Sequence, residues 1–403
     1  MVFSKIMTNI TRPCTEDDIE SLVQLDAYAY SFPESTLERL RENIGRTYQE
    51  CYIHLHDDVP TAAARVHPFK QNIRGQMKRM AGIGMVSSAP EYRRQGFVHS
   101  MILKILEDLN SKRYATSTLY PFKDLFYGSL GYAKMPPTQM LEVNPRNFAH
   151  IERPRGYTVK REEGEGVIAA WKQLHEHMVQ QTHGAVERNE TRWKEKTANI
   201  RSKIVIARNP QNNPEGFMYY SIKGYGEGHS WAEIGEISII EALWSTLEGR
   251  DALFSYLYGH ADQIVKAKIM ISPRTDDYYH WTSDIHTPKT TGHIVSMARI
   301  INVEESFNGL LAKQDGEILV EVTDTNCKWN NGTYKLKENH GVLNVKKVDE
   351  TCSTSLTIEG LTSLLYGTLD ENQLKRLRWL QGEIPSELIQ WFPKDTPWLS
   401  EDF

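Results

Sequence analysis

The stretch PEYRRQG (Pro90 to Gly96) joins a strand-like run, GIGMVSSAP, to a strongly apolar helix-like one, FVHSMILKIL. A helix N-terminus leaves several backbone N–H groups without an intrahelical partner and carries a partial positive charge. Such an end binds phosphate when a glycine in the turn lets the anion reach the backbone. Arg93, Arg94, Gln95, Gly96, Phe97 and Val98 supply that pattern, with two guanidinium groups adding charge. A pair of arginines taken alone is more often a solvated turn; the strand before it and the helix after it favour an anion cradle. Two further places could carry chemistry. Asp26 continues the apolar stripe of Ile19, Leu22 and Val23, so it either points inward or marks where the helix turns out to solvent, the commoner case. The chain closes on PWLSEDF, a tail too aromatic to have nothing to dock on, although most termini fray.

Those residues need a scaffold, and the flanking pattern describes one. Thr15 to Asp18 reads as a capped start for the Asp26 helix, and ESTLERLREN as a second helix. CYIHLHDD and TAAARVHPF read as a strand pair, and QMKRMAGIGMVSS as a longer strand. Past the basic turn, Val98, Met101, Ile102, Ile105 and Leu109 share one helical stripe, YATSTLYP reads as a buried strand and FKDLFYGSL as a short helix. This is an α/β layer. NPRNFAHIERPRG marks a boundary, giving a first domain over 1–153. The next segment, 154–290, repeats the order of elements: YTVKR, a helix over EGVIAAWKQLHEHMVQQ, strands at IVIARN, GFMYYSIK and SWAEIGEISII, a helix over EALWSTLEGRDALFSYL, and the strand IVKAKIMIS. That order leaves room for an internal structural duplication, although residue identity between the halves is low. From 291 to 403, strands come in succession with helices around them, an α+β pattern.

Bulk properties narrow the functions open to such a chain. Its 403 residues suit two or three domains. A formal net charge of -5 argues against non-specific nucleic-acid binding. No apolar run reaches the roughly 18 residues of a membrane-spanning helix, so no membrane role is expected. MVFSKIMTNITRP lacks the features of a signal peptide. Cys14, Cys51, Cys327 and Cys352 are scattered without metal spacing, as reduced thiols in a cytoplasm would be. His175, Glu176, His177 and His183 do not form HExxH, and His175 and His177 fall on different sides of a helix, so no metal is expected. TDDYYHW (Thr275 to Trp281) reads as a surface loop.

SAPEYRRQGFVHSMILKIL resembles motif A of the GNAT superfamily of N-acetyltransferases, in which arginine or glutamine, two residues, glycine, one residue and a small residue follow in turn. Arg93 and Gly96 fit, and Val98 stands where the small residue is usual. DLFYGSLGYAKMP resembles the phenylalanine- and tyrosine-rich segment downstream in the same superfamily. With a second GNAT-like half lacking the basic turn, a sterol-carrier-protein-like third domain (LTIEGLTSLLYG) and an aromatic C-terminus, the resemblance extends over nearly the whole chain to the Eis-type (enhanced intracellular survival) acetyltransferases. In that family an A-P-x-x-R-R-x-G stretch carries a large residue at the Val98 position.

The resemblance implies an acetyl-CoA-dependent N-acetyltransferase acting on small-molecule amines such as aminoglycoside-like polyamines, or on lysine side chains, with no metal. Arg93 to Val98 would hold the coenzyme pyrophosphate, and Val86, Ser87 and Ser88 would align the pantetheine arm and polarise the thioester. Tyr127 would protonate the leaving thiolate, its unperturbed pKa being about 10, while Tyr132 packs. The carboxylate of Phe403 would take the amine proton, and Asp26 would meet the cationic acceptor. A hexamer is implied by resemblance, and the rival reading is a lipid- or small-ligand-binding protein with a vestigial GNAT module.

Overall fold

Alternation along the strands decides which helix lies on which face of the first sheet. In the computed structural model, which describes residues 8–198, 202–223, 235–275, 277–284 and 286–403, this sheet begins with β1 (Asn9–Pro13), β2 (Cys51–His56), β3 (Val59–Ile73), β4 (Gln76–Ser88) and β5 (Thr116–Leu119). Ala62 and Ala64 of β3 face one side, with Met101, Ile102, Ile105 and Leu106 of α3 (Phe97–Ser111) in the same core cluster. Ala63 between them belongs to the opposite cluster, with Leu22 and Val23 of α1 (Ile19–Ala29) and Ile44 of α2 (Leu37–Thr47). Strand periodicity of two thus sorts the helices into layers. The capped start at Thr15 is present: the Asp18 carboxylate accepts from the Thr15 N–H at 2.7 Å. After β5 come α4 (Asp124–Gly128) and β6 (Ala133–Lys134).

Two local features shape the working end of this sheet. β4 pairs in parallel with β5 only from Met80 opposite Thr116 to Ile83 opposite Leu119; β5 ends there and β4 continues to Ser88. Against β3, Gly84 opposes Arg65 but Ser87 opposes Ala63, so an extra residue is accommodated in β4, with Met85 at φ 48°. Such a bulge bends the strand and re-aims its side chains.

The second sheet is built from β7 (Thr138–Val143), β8 (Thr158–Arg161), β10 (Lys203–Arg208), β11 (Pro214–Lys223), β12 (Glu236–Trp244), β13 (Lys266–Ile271) and β14 (Lys289–Ile294); the short β9 (Val186–Glu187) is not one of its strands. Its order is β14-β7-β13-β12-β11-β10-β8. α5 (Glu165–Gln181), α6 (Glu190–Thr197) and α7 (Leu247–Tyr258) accompany it. β12 pairs in parallel with β13 across α7, repeating the β4–α3–β5 arrangement. Residues 241–244, read above as the start of a helix, instead finish β12; α7 begins after Thr246, whose side chain caps the Gly249 N–H at 3.0 Å. Local helix preference in EALW gave way to pairing of Leu243 with Phe217.

β15 (Met297–Ile300) returns to the first sheet, pairing with β5 on one side and β6 on the other. The first sheet therefore runs β1-β2-β3-β4-β5-β15-β6. Beyond it, α8 (Val303–Phe307), β16 (Glu317–Thr323), β17 (Gly332–Asn339), β18 (Val342–Val348), β19 (Ser355–Thr357), α9 (Ile358–Tyr366), α10 (Glu371–Arg376), β20 (Leu380–Gln381) and α11 (Ser386–Trp391) make a third layer set, its sheet ordered β18-β17-β16-β19-β20. By packing, the chain forms two units: one holds the residues through Met135, Ser296–Asp395 and the last two residues, the other Pro136–Val295 and Thr396–Glu401. The boundaries read at 153 and 290 thus fall inside the second sheet's unit, because β7 and β14 pair with each other there. A loop-rich composition marks a loop, not the sheet that the strand before it joins.

Residues 1–7, 230–234 and Asp276, parts of stretches read above as a leaderless start, a strand and a loop, lie outside the described residues. Among the described residues no helix is long and apolar enough to cross a membrane.

Candidate active site

β4 carries glycine at positions 82 and 84, two residues apart and therefore on one face. A Cβ on Gly82 would lie 2.7 Å from Cε2 and 2.8 Å from Cζ of Phe403. A Cβ on Gly84 would lie 3.0 Å from the Phe403 carboxyl carbon. The missing side chains thus form a slot for the last residue of the chain. His67 and Phe69 on β3 and Tyr120 after β5 surround the ring, with centroids 5.3, 5.5 and 5.7 Å away. These are favourable tilted aromatic distances.

At the far end of β4 lies the basic turn, with two left-handed residues in it. Pro90–Tyr92 form a 3-10 turn, Arg94 adopts φ 64° and Gly96 φ 85°, and α3 starts at Phe97. A Cβ at Gly96 would meet nothing within 4 Å, so glycine is needed for its backbone angle and for open space above the helix end. Arg93, Arg94, Gln95 and Gly96 are exposed, while Phe97 and Val98 are half-buried. Left-handed residues in such a turn point backbone N–H groups into a concavity suited to anions.

Between slot and turn lies a buried polar group. Asp26 is only 5% exposed, so the turn to solvent expected at this point of α1 does not occur. Burial lifts its carboxyl from an ordinary 3.8 to about 7, opposed only by the Ser87 hydroxyl. The neighbouring Tyr30 hydroxyl donates to the Val86 carbonyl at 3.2 Å, and burial together with Asp26 pushes it up to about 12. Val86 and Ser88 are half-buried, and Ser87 is buried. Tyr127 on α4 is 2% exposed, wedged edge-on against Phe126 at 5.1 Å and Tyr132 at 6.0 Å. Burial first, then the Tyr132 and Tyr30 hydroxyls, hold its phenol above the ordinary value, so it stays protonated. Tyr132 shares a 2.8 Å hydrogen bond with Ser117.

α4 is held from the C-terminal side. Arg299 of β15 is fully buried, pairs with Asp324 at 2.5 Å and donates to the Leu130 carbonyl just beyond α4. Asn326 donates to the Ser129 carbonyl at 2.9 Å. Gly131, at φ 86°, leaves room for the Arg299 guanidinium.

The structure therefore brings Asp26, Val86 and Ser87 together and seats Phe403 against the strand that carries Val86 and Ser87. Among the described residues no hydrogen bond joins Phe403 to Tyr127. Gly82, Gly84, His67, Phe69 and Tyr120 escaped sequence reasoning; two glycines inside a strand, which signal close backbone approach, could have pointed to the slot. Among the described residues no group of His, Cys, Asp and Glu is arranged to hold a metal ion.

Residues 11–135 and 184–300 each match an acetyltransferase (GNAT) domain family, and residues 305–400 a sterol carrier protein domain family. The two domain matches, with a parallel strand pair and a basic turn at a helix start, define an acetyltransferase of the GNAT superfamily. Over 340 residues the chain is 24% identical to the N-acetyltransferase Eis of Mycobacterium tuberculosis, covering 79% of both proteins. In fold it is similar to a GCN5-related N-acetyltransferase from Anabaena variabilis (TM-score 0.85, 19% identity, covering 97% of this chain and 99% of that one). Eis1 from Mycobacterium abscessus gives a TM-score of 0.77 at 15% identity, covering 98% of this chain and 100% of that one. By sequence the chain is similar to Eis-type N-acetyltransferases over most of its length.

Proposed function

We propose that the protein moves an acetyl group from acetyl-CoA to the amine of a small polycation of the aminoglycoside type or of a lysine side chain. The observation that carries this reading is the slot on β4, where Gly82 and Gly84 make room for the ring and carboxyl of Phe403. A chain end seated on the strand that leads into the anion turn supplies a carboxylate where none of the strand's own residues offers one.

In this reading the Arg94 and Gly96 turn, with the first N–H groups of α3, holds the coenzyme pyrophosphate. Backbone groups of Val86, Ser87 and Ser88, beyond the last β4–β5 pair at Ile83, align the pantetheine arm and polarise the thioester carbonyl. The acceptor nitrogen attacks that carbonyl carbon, the carbon–sulfur bond breaks, and Tyr127 gives its proton to the departing sulfur. The terminal carboxylate of Phe403 takes the proton the nitrogen sheds. Asp26, ionised in the presence of a cationic acceptor, orients it. The packed interior of the third domain, with Leu361, Leu364, Leu365 and Tyr366 of α9 buried among its strands, favours a scaffold over a lipid carrier. Extending the chain by a few residues past Phe403 is expected to abolish most thiol release while acetyl-CoA binding by calorimetry is unchanged; full retained turnover would refute the reading. A hexameric assembly, implied by resemblance, is checked by sedimentation.

A further inference from the structure

We propose that His67 is a second proton-holding residue of the site: it takes from the Phe403 carboxyl the proton that the acceptor nitrogen sheds, an inference that rests on the reading of Phe403 as the base. His67 lies on β3, and the residues through Met135 pack in one unit with Asp402 and Phe403. In the β3–β4 ladder His67 stands directly opposite Gly82, so its side chain shares the face on which the two glycines leave their slot. The Phe403 ring fills the place that a side chain at 82 would take. The imidazole is thus flanked by that ring at 5.3 Å and, in a nearly parallel plane, by Phe69 at 5.5 Å.

A nitrogen of that ring faces the chain end. From the point where a Cβ on Gly84 would sit, the Phe403 carboxyl carbon is 3.0 Å away, a carboxyl oxygen 3.1 Å and His67 Nε2 3.4 Å. The carboxylate and the imidazole nitrogen therefore border the same small gap over β4. His67 is buried, with 4% of its surface exposed. Of the other groups on this face, Arg65 pairs with Glu50 at 2.7 Å, Phe69 is apolar, and Tyr120 presents its ring to Phe403.

An imidazole is a costly choice for the wall of an aromatic slot, because burying a polar ring carries a penalty that phenylalanine or leucine would not. A terminal carboxylate alone is a poor base: in water it holds a proton about 1000-fold less firmly than an imidazole does. Side by side, the two groups divide the work. The acceptor nitrogen gives its proton to a carboxylate oxygen, and that oxygen passes it to His67 Nε2. The carboxylate is restored and the imidazole becomes the cation, which the adjacent negative charge favours. The tautomer able to accept at Nε2 carries its own proton on Nδ1. After the acetylated product leaves, the imidazolium returns its proton to water and Tyr127 regains one, so the protons balance.

The test measures thiol release from acetyl-CoA with a polyamine in the full chain, His67→Phe, His67→Gln, a chain lacking Phe403, and that deletion combined with His67→Phe. His67→Phe keeps a ring in the wall and is expected to lower kcat about 100-fold, the lower end of what a general base contributes. Acetyl-CoA affinity and the acceptor KM are expected to stay at their wild-type values. His67→Gln can form a hydrogen bond but cannot take up a proton, and is expected to be as slow. In the chain lacking Phe403, His67→Phe is expected to cost nothing further, because residues acting as one unit are not additive. Wild-type kcat in His67→Phe, a loss that falls on KM instead, recovery in His67→Gln, or losses that multiply in the combination each overturn the relay. Full activity of the deletion instead overturns the reading of Phe403 itself. Should His67→Phe fail to fold, His67→Gln carries the test in both backgrounds, and wild-type kcat there overturns the proposal.

Discussion

Replacing Gly82 by alanine puts one methyl group into the slot, and the structure sets its effect. The new Cβ would stand 2.7, 2.8 and 3.0 Å from three atoms of the Phe403 ring, where ordinary contact begins at 3.4 Å and is comfortable near 4 Å. β4 is held by β3 on one side and β5 on the other, so the ring at the chain end must move. The displacement needed is roughly 1 Å, and misplacement of a reacting group by about that much costs on the order of 100-fold in rate, or about 2.7 kcal/mol. Gly82→Ala is therefore expected to lower kcat about 100-fold in a thiol-release assay with acetyl-CoA and a polyamine. Acetyl-CoA affinity and the thermal transition should stay close to wild type, since the ring sits at a terminus and not in the core. Trimming the ring in the same chain, Gly82→Ala with Phe403→Leu, is expected to recover part of the loss. A Gly82→Ala enzyme with wild-type kcat would refute the link between the slot and the chemistry.

Asp26 and Asp324 offer two tests of stability. The folded protein holds the Asp26 proton up to about pH 7, whereas the unfolded chain releases it near 3.8, so wild-type stability falls as pH rises between those values. Asp26→Asn is expected to be more stable than wild type at pH 8, by at most about 4 kcal/mol, with the advantage fading towards pH 4; thermal unfolding across that range checks it, and a pH-independent difference would refute it. Asp324→Ala leaves the fully buried Arg299 without its 2.5 Å partner and is expected to cost about 3–5 kcal/mol in denaturant unfolding. Arg299→Met with Asp324→Leu should be milder than Asp324→Ala alone, and a double variant as unstable as the single one would count against a charge-based cost.

What the sequence disclosed was local. PEYRRQG stood out because glycine, charge and the onset of helical periodicity fall within a few residues, whereas Tyr127 was picked out through the resemblance of its segment to a family motif. β15 could not be read in this way: four residues, MARI, carry the signal of any short strand, and nothing in them says that they return to β5. Arg188 was equally silent, since its partners Glu241 and Glu401 lie 53 and 213 positions away. Asp26 was visible as an anomaly on an apolar stripe, but its burial depends on β4 packing over α1, a contact no window of sequence contains. The slot had a faint signature in GIG, two glycines in a strand, whose meaning required knowing that the chain end comes to rest on them.

The place of β15 in the first sheet has a consequence for how the protein is made. Leu119 pairs with Met297, so roughly 180 residues must be synthesised before β5 gains its second neighbour. At about 5–20 residues per second this leaves β5 with an open edge for about 10–35 s on the ribosome. Unpaired strand edges are templates for aggregation. β6 waits as well, since Ala133 and Lys134 have β15 as their partner. The first sheet is begun first and closed late, and a chain that stalls anywhere in the second domain emerges with its oldest sheet still unfinished.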